Sequence, residues 1–220
     1  MNAPIPYRVG LTGTVAAGKS AVARRLAAFG ATIIDSDELA REVVRPGSPA
    51  FHQIREVFGE GVIGPDGAVD RAALARGVFA DDEARARLER ISHAGIRELR
   101  ARRVAEATAA GARVLVEEIP LLFEVGLAHD YDMIVVVDAP AEARATRARR
   151  SRGWDAERFR AVDAAQLSGP EKRRRAHRVL DNAGEPEQLD EAVRELWEAI
   201  LEAAARGRDP GAAGAEPDHA

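Results

Sequence analysis

Gly13-Thr-Val-Ala-Ala-Gly18-Lys19-Ser20 has the spacing G-x-x-x-x-G-K-S/T. Small residues let such a loop curl until its backbone N–H groups point inward at phosphate oxygens. A helix beginning near Lys19 adds its positive end. The Lys19 ammonium can then reach the outer phosphates, and the Ser20 hydroxyl can ligate Mg²⁺. Lysine is scarce in this chain: Lys19 and Lys172 are the only two among 32 basic residues. The loop predicts a nucleoside triphosphate as ligand, held by Gly13, Ala16, Ala17, Gly18, Lys19, Ser20 and Ala21.

A second group of polar residues follows at Asp35-Ser36-Asp37, directly after the β-branched run Thr32-Ile33-Ile34. In an open α/β sheet, ligands lie beyond the carboxyl ends of the strands. Both carboxylates are therefore expected on the side of the terminal phosphate. A kinase needs a group to accept the proton of the attacking hydroxyl, and Asp37 is the choice for it. Asp35 would orient that hydroxyl or meet Mg²⁺ through water. One of the two is also suited to cap the helix expected from Glu38. A regulatory GTPase would carry Asn-Lys-x-Asp, and with lysines only at 19 and 172 that motif is absent.

Residues 141–178 hold twelve basic and five acidic residues within a chain of net charge −4. Most of these arginines read as a solvated helical face. A few suit a mobile lid closing over a phosphoryl group in transfer. Arg147 and Arg150 share a helical face, and Arg147, Arg150 and Arg152 are the candidates, with Gly153-Trp154 as a hinge between helices.

These groups need strands that end beside them. Tyr7–Thr12, Thr32–Ile34, Arg113–Val116, Met133–Val137 and Arg178–Leu180 read as strands. The third and fourth are continuous apolar runs, as in a parallel sheet covered on both faces. Helical spacing is read at 20–29, 38–44, 49–58, across 70–110, and at 141–152, 155–167 and 187–205. Residues 59–70, with a Pro65-Asp66-Gly67 turn, read as loop or hairpin. Strands alternating with helices predict an α/β fold with a central parallel sheet. Residues 206–220 are rich in Gly, Ala, Pro and charge and are expected to be disordered.

Composition narrows the class further. With 46% hydrophobic residues in 220, the chain can bury a core, and with 5% aromatic that core is aliphatic. Zero cysteines exclude disulfides, a thiol nucleophile and thiolate metal ligands. Thirty-two basic against 36 acidic residues, few aromatics and no binding module argue against nucleic acid as partner. No apolar run approaches the ~20 residues that span a bilayer. Met1–Tyr7 lacks the basic-then-apolar order of a signal peptide. The expectation is a cytoplasmic protein without membrane contact, acting on small molecules as a monomer or weak homo-oligomer.

Several separated pieces, in order, make the chain resemble the dephospho-coenzyme A kinases. They are Gly10-Leu-Thr-Gly13 with Gly18-Lys-Ser20, Ile34-Asp-Ser-Asp37 before Ala40-Arg41, and Val44-Arg-Pro-Gly47 with Pro49-Ala50. Further on come Pro120-Leu-Leu-Phe-Glu124, Val137-Asp138, Gln166, and Asp181-Asn182 with Gly184. The resemblance covers Val9 to Gly184 and implies transfer of the ATP γ-phosphoryl to the ribose 3′-hydroxyl of dephospho-coenzyme A. It implies a P-loop NTPase-type three-layer fold over residues 7–205, with a helical acceptor-binding insertion near 70–110 and a helical lid near 148–175. It makes Asp37, Lys19 and Arg147 catalytic. It places Thr12, Asp37, Arg41 and His93 by the acceptor, and Ser20 with Glu118 at Mg²⁺.

Three departures from the family pattern stand out. The loop interior is Thr14-Val-Ala-Ala17, where the family usually has Gly, Ile, Gly or Ala, and Ser. The family's His-Pro pair is His93-Ala94, which leaves a purely structural histidine as an alternative. The second lid arginine falls on Ser151, flanked by Arg150 and Arg152, while Arg147 is in register. Two other readings stay open on the residues alone: a kinase for a different small hydroxyl acceptor, and a nucleotide-binding regulatory module.

Overall fold

The computed structural model describes residues 5–78 and 81–206. The tail expected to be disordered lies outside them, apart from Arg206. The strands are β1 (Tyr7–Gly13), β2 (Thr32–Asp35), β3 (Val114–Glu118), β4 (Met133–Asp138) and β5 (Arg178–Asp181). The helices are α1 (Lys19–Ala28), α2 (Ser36–Glu42), α3 (Pro49–Phe58), α4 (Arg71–Val78) and α5 (Asp82–Ala109). They continue with α6 (Ala141–Arg152), α7 (Ala156–Ala164), α8 (Gly169–Arg174) and α9 (Pro186–Arg206).

The strands form one parallel five-stranded sheet in the order β2-β3-β1-β4-β5. Because β1 is central and the chain crosses from β3 on one side to β4 on the other, the loop after β1 opens at the point where strand order reverses. Ligands bind at such points in open parallel sheets. The register puts Leu11 opposite Glu118 and Gly13 opposite Val137, so three strands end together around that loop.

The described residues divide into two compact units. The first comprises those up to Ile33 and those from Ala110, and the second is Ile34–Ala109. In the first, Val9 and Leu11 of β1 and Val135 and Val137 of β4 meet Val22 and Leu26 of α1 and Val193 and Ile200 of α9. Each such fully buried aliphatic side chain is worth roughly 1.5–3 kcal/mol. Leu122, Tyr131 and Ile134 form a separate cluster after β3 and on β4. In the second unit α5 packs on α2, α3 and α4. Gly95 lets α5 approach α2, since a Cβ there would stand 2.3 Å from Val43 Cγ2. Ile54, Val62 and Leu74 are its small core.

Some boundaries differ from the sequence expectation. The segment 70–110 is two helices, and this unit also takes in α2 and α3. The expected helix 155–167 stops at Ala164, and a short helix, α8, follows. Its N-cap is Ser168, whose Oγ accepts from Glu171 N, with proline in its first turn. The expected hairpin is reduced to a single antiparallel bridge, Ile63 to Val69.

Candidate active site

The phosphate loop is shaped by left-handed residues. Gly13 has φ +147° and Gly18 φ +102°. A Cβ on Gly13 would lie 2.0 Å from the Val137 carbonyl oxygen, and one on Gly18 2.1 Å from Asn182 Nδ2. Neither position accepts a side chain. Ala16, at φ 58°, is the one non-glycine described with positive φ, a conformation costing roughly 1–2 kcal/mol. Alternating hands of this kind turn successive N–H groups toward one point. Gly18 is the N-cap of α1 and brings no capping side chain, and the first turn of α1 has no acid. The helix thus presents its first N–H groups and positive dipole to an anion.

Lys19 is 8% exposed, its Nζ donating to Gly13 O and Thr14 O, both at 3.2 Å. Ser20 Oγ donates to Glu118 Oε1 at 2.8 Å. Glu118, at the end of β3, is itself buried. Thr12 is buried with its hydroxyl on Pro120 O at 3.2 Å.

The loop is braced from behind by side chains distant in sequence. Val15 N donates to Gln166 Oε1 at 3.1 Å. Ala17 O accepts from Asn182 Nδ2 at 2.7 Å and from Arg147 Nη1 at 3.4 Å. Arg147 Nη2 also donates to Asn182 O at 2.7 Å. Arg144 is 7% exposed, pairs with Asp163 at 3.1 Å, lies over the Phe159 ring and donates to Val15 O at 3.4 Å. Arg147 therefore touches the loop backbone directly. Arg150 is exposed on the same side of α6, and Arg152 stacks on Trp154, its carbon 4.9 Å from the ring. Ser151, at the position expected for a second lid arginine, donates to Arg147 O at 2.7 Å.

The remaining predicted residues belong to the second unit. Asp35 is the N-cap of α2: its Oδ1 accepts from Asp37 N at 2.7 Å and Glu38 N at 3.2 Å. The helix thus starts at Ser36, two residues before the expected Glu38. Asp37 stands exposed in the first turn, with its carboxylate not used for capping, and Arg41 is exposed one turn on. Arg103 Nη2 on α5 donates to both oxygens of Glu42, at 2.9 and 3.0 Å, pinning α2. This pairing holds the Arg103 guanidinium above its ordinary range. His93 is exposed on α5.

Gln166, Asn182, Arg144 and Lys172 carry roles not assigned from the sequence. The scarcity of lysine singles out Lys172, and Gln166 and Asn182 are among the motif pieces that carry the resemblance. The partners of all four lie on other elements, which local spacing does not reveal.

Comparison with known proteins agrees with this geometry. The family model described as dephospho-CoA kinase matches residues 7–188. A dephospho-CoA kinase of Thermobifida fusca is 44% identical over 193 residues, 88% of this chain and 96% of its own. The crystal structure of TT1252 from Thermus thermophilus is similar at 34% identity, with TM-score 0.76, over 89% of this chain and 98% of its own. The dephospho-CoA kinase from Campylobacter jejuni shares the fold at 22% identity, with TM-score 0.67, over 89% and 97%.

Proposed function

The chain belongs to the dephospho-CoA kinase family, and on that premise we propose how its residues phosphorylate the ribose 3′-hydroxyl of dephospho-CoA, the last step of coenzyme A biosynthesis. The phosphate loop binds ATP. Its N–H groups and the start of α1 take the phosphate oxygens, and Lys19 moves its donors from the Gly13 and Thr14 carbonyls to the terminal phosphates. The observation that carries this reading is the loop itself: two glycines whose Cβ positions are closed, an uncapped helix start and a buried lysine folded over it.

Asp37 accepts the proton of the 3′-hydroxyl as its oxygen attacks the γ-phosphorus. The new O3′–P bond forms while the bond from the γ-phosphorus to the β,γ-bridging oxygen breaks, releasing ADP. Arg41 and His93 are assigned to the acceptor, and the second unit that carries them to acceptor binding. Residues 148–175 supply the lid, with Gly153 (φ 66°) at the end of α6 as its hinge. Arg147 keeps the Ala17 carbonyl turned away from the phosphates. Ser20 Oγ and Glu118 Oε1, 2.8 Å apart, are hard oxygen donors suited to Mg²⁺, which keeps most of its shell from water and phosphate. Those two oxygens would hold the metal, and it would supply charge neutralisation at the outer phosphates.

Among the described residues no helix is long and apolar enough to cross a membrane. The proposed setting is the cytoplasm, the proposed form a monomer or weak homo-oligomer, and the proposed partners small molecules only.

ADP release measured with and without acceptor tests this reading. Release should depend on dephospho-CoA and be negligible with nucleoside monophosphates. Slow ATP turnover indifferent to every acceptor, or preference for another alcohol, contradicts it.

A further inference from the structure

Lys172 is the largest fully buried side chain, at 0% exposure. Its Nζ donates to Pro120 O at 2.8 Å and pairs with Glu124 Oε1 at 2.9 Å. Burying an ammonium costs several kcal/mol unless partners surround it, and an apolar residue of similar volume would avoid that cost.

Two short routes lead from this ammonium toward the phosphate loop. Glu124 Oε1 also accepts from Leu167 N at 2.9 Å. The neighbouring residue, Gln166, accepts from Val15 N inside the loop at 3.1 Å. On the other side, Pro120 O also accepts from Thr12 Oγ1 at 3.2 Å, one residue before Gly13. Burial pushes the Glu124 carboxyl upward. The bonds from Lys172 and Leu167 N outweigh this and leave it below the usual glutamate range, so Glu124 is a carboxylate at neutral pH.

We propose that Lys172 is a positioning residue for ATP: by fixing Glu124, and through it Leu167 and Gln166, it sets the Val15 end of the phosphate loop. The inference rests on the assignment of ATP to that loop. It goes beyond it by giving the second lysine a role at Val15, a loop residue 157 positions away (172 − 15) that its own side chain does not touch.

Lys172→Met tests it, alone and combined with Gln166→Ala, with ATP and dephospho-CoA titrated separately and thermal stability measured alongside. Displacing the loop should raise the KM for ATP about tenfold and leave that for dephospho-CoA within about twofold. Since both changes act on the same bond to Val15, the double variant should raise the ATP KM no more than the larger single change. A lowered melting temperature with the ATP KM unchanged, or additive effects, overturns the proposal. Should Lys172→Met not fold, Glu124→Gln replaces it: it keeps the shape, removes the charge, and should raise the ATP KM severalfold. An unchanged ATP KM in Glu124→Gln overturns the proposal equally. A wild-type protein that binds no ATP would instead overturn the ATP reading on which this rests.

Discussion

Asp37→Asn is expected to lower kcat by roughly 10²–10⁴-fold, the usual contribution of a positioned general base. The variant isolates chemistry from structure. Asparagine has the volume of aspartate, and the cap of α2 does not depend on the Asp37 side chain. That cap is Asp35 Oδ1, which accepts from the backbone N of residue 37 whatever the side chain there. The Glu42–Arg103 pin also remains. An amide in place of the carboxylate cannot take the proton of the 3′-hydroxyl. Steady-state kinetics together with an ATP titration checks this: turnover falls by orders of magnitude while ATP affinity stays near wild type. Turnover within severalfold of wild type would show that Asp37 is not the base.

Lys19→Ala should damage both binding and rate, by roughly 10²–10³-fold in kcat alone, the usual loss when one preorganised donor to a developing charge is removed. Lys19 is buried, and its ammonium is the cation held on the Gly13 and Thr14 carbonyls. Removing it takes away the ammonium that would move from those carbonyls to the terminal phosphates. The fold should tolerate the change, because alanine is a good helix former at the first residue of α1. Nucleotide titration and turnover measured on the same preparation check it. Wild-type ATP affinity in this variant would contradict the role given to Lys19.

The parts of this protein that local chemistry dictates were legible in the chain. The loop 13–20 announces itself by spacing, and its strand and helix follow from an apolar run before it and periodic apolar residues after it. Helices α3 and α6 lie at the positions periodicity predicts, the first helped by Ser48 and Pro49 at its start. What was not legible depends on contacts distant in sequence. Asn182 closes against Gly18 only because β5 lies beside β4, and Gln166 meets Val15 only because α7 ends where it does. Lys172 stands out as a rare lysine, yet its burial follows from where Pro120 and Glu124 fall after β3. Helix α8 is six residues, too short for periodicity to register, although Ser168-Gly-Pro170 carries the cap signal. Among the acids, the sequence left open which one caps. Asp35 takes that task, and the Asp37 carboxylate is left for other use.

A crystal structure of the complex with a non-hydrolysable ATP analogue and dephospho-CoA tests the central claim most directly. The account predicts the γ-phosphate at the loop with Lys19, and the ribose 3′-oxygen in line with it and about 2.6–3.2 Å from an Asp37 oxygen. A terminal phosphate directed elsewhere, or a sugar bound with its 3′-oxygen out of reach of Asp37, would contradict it.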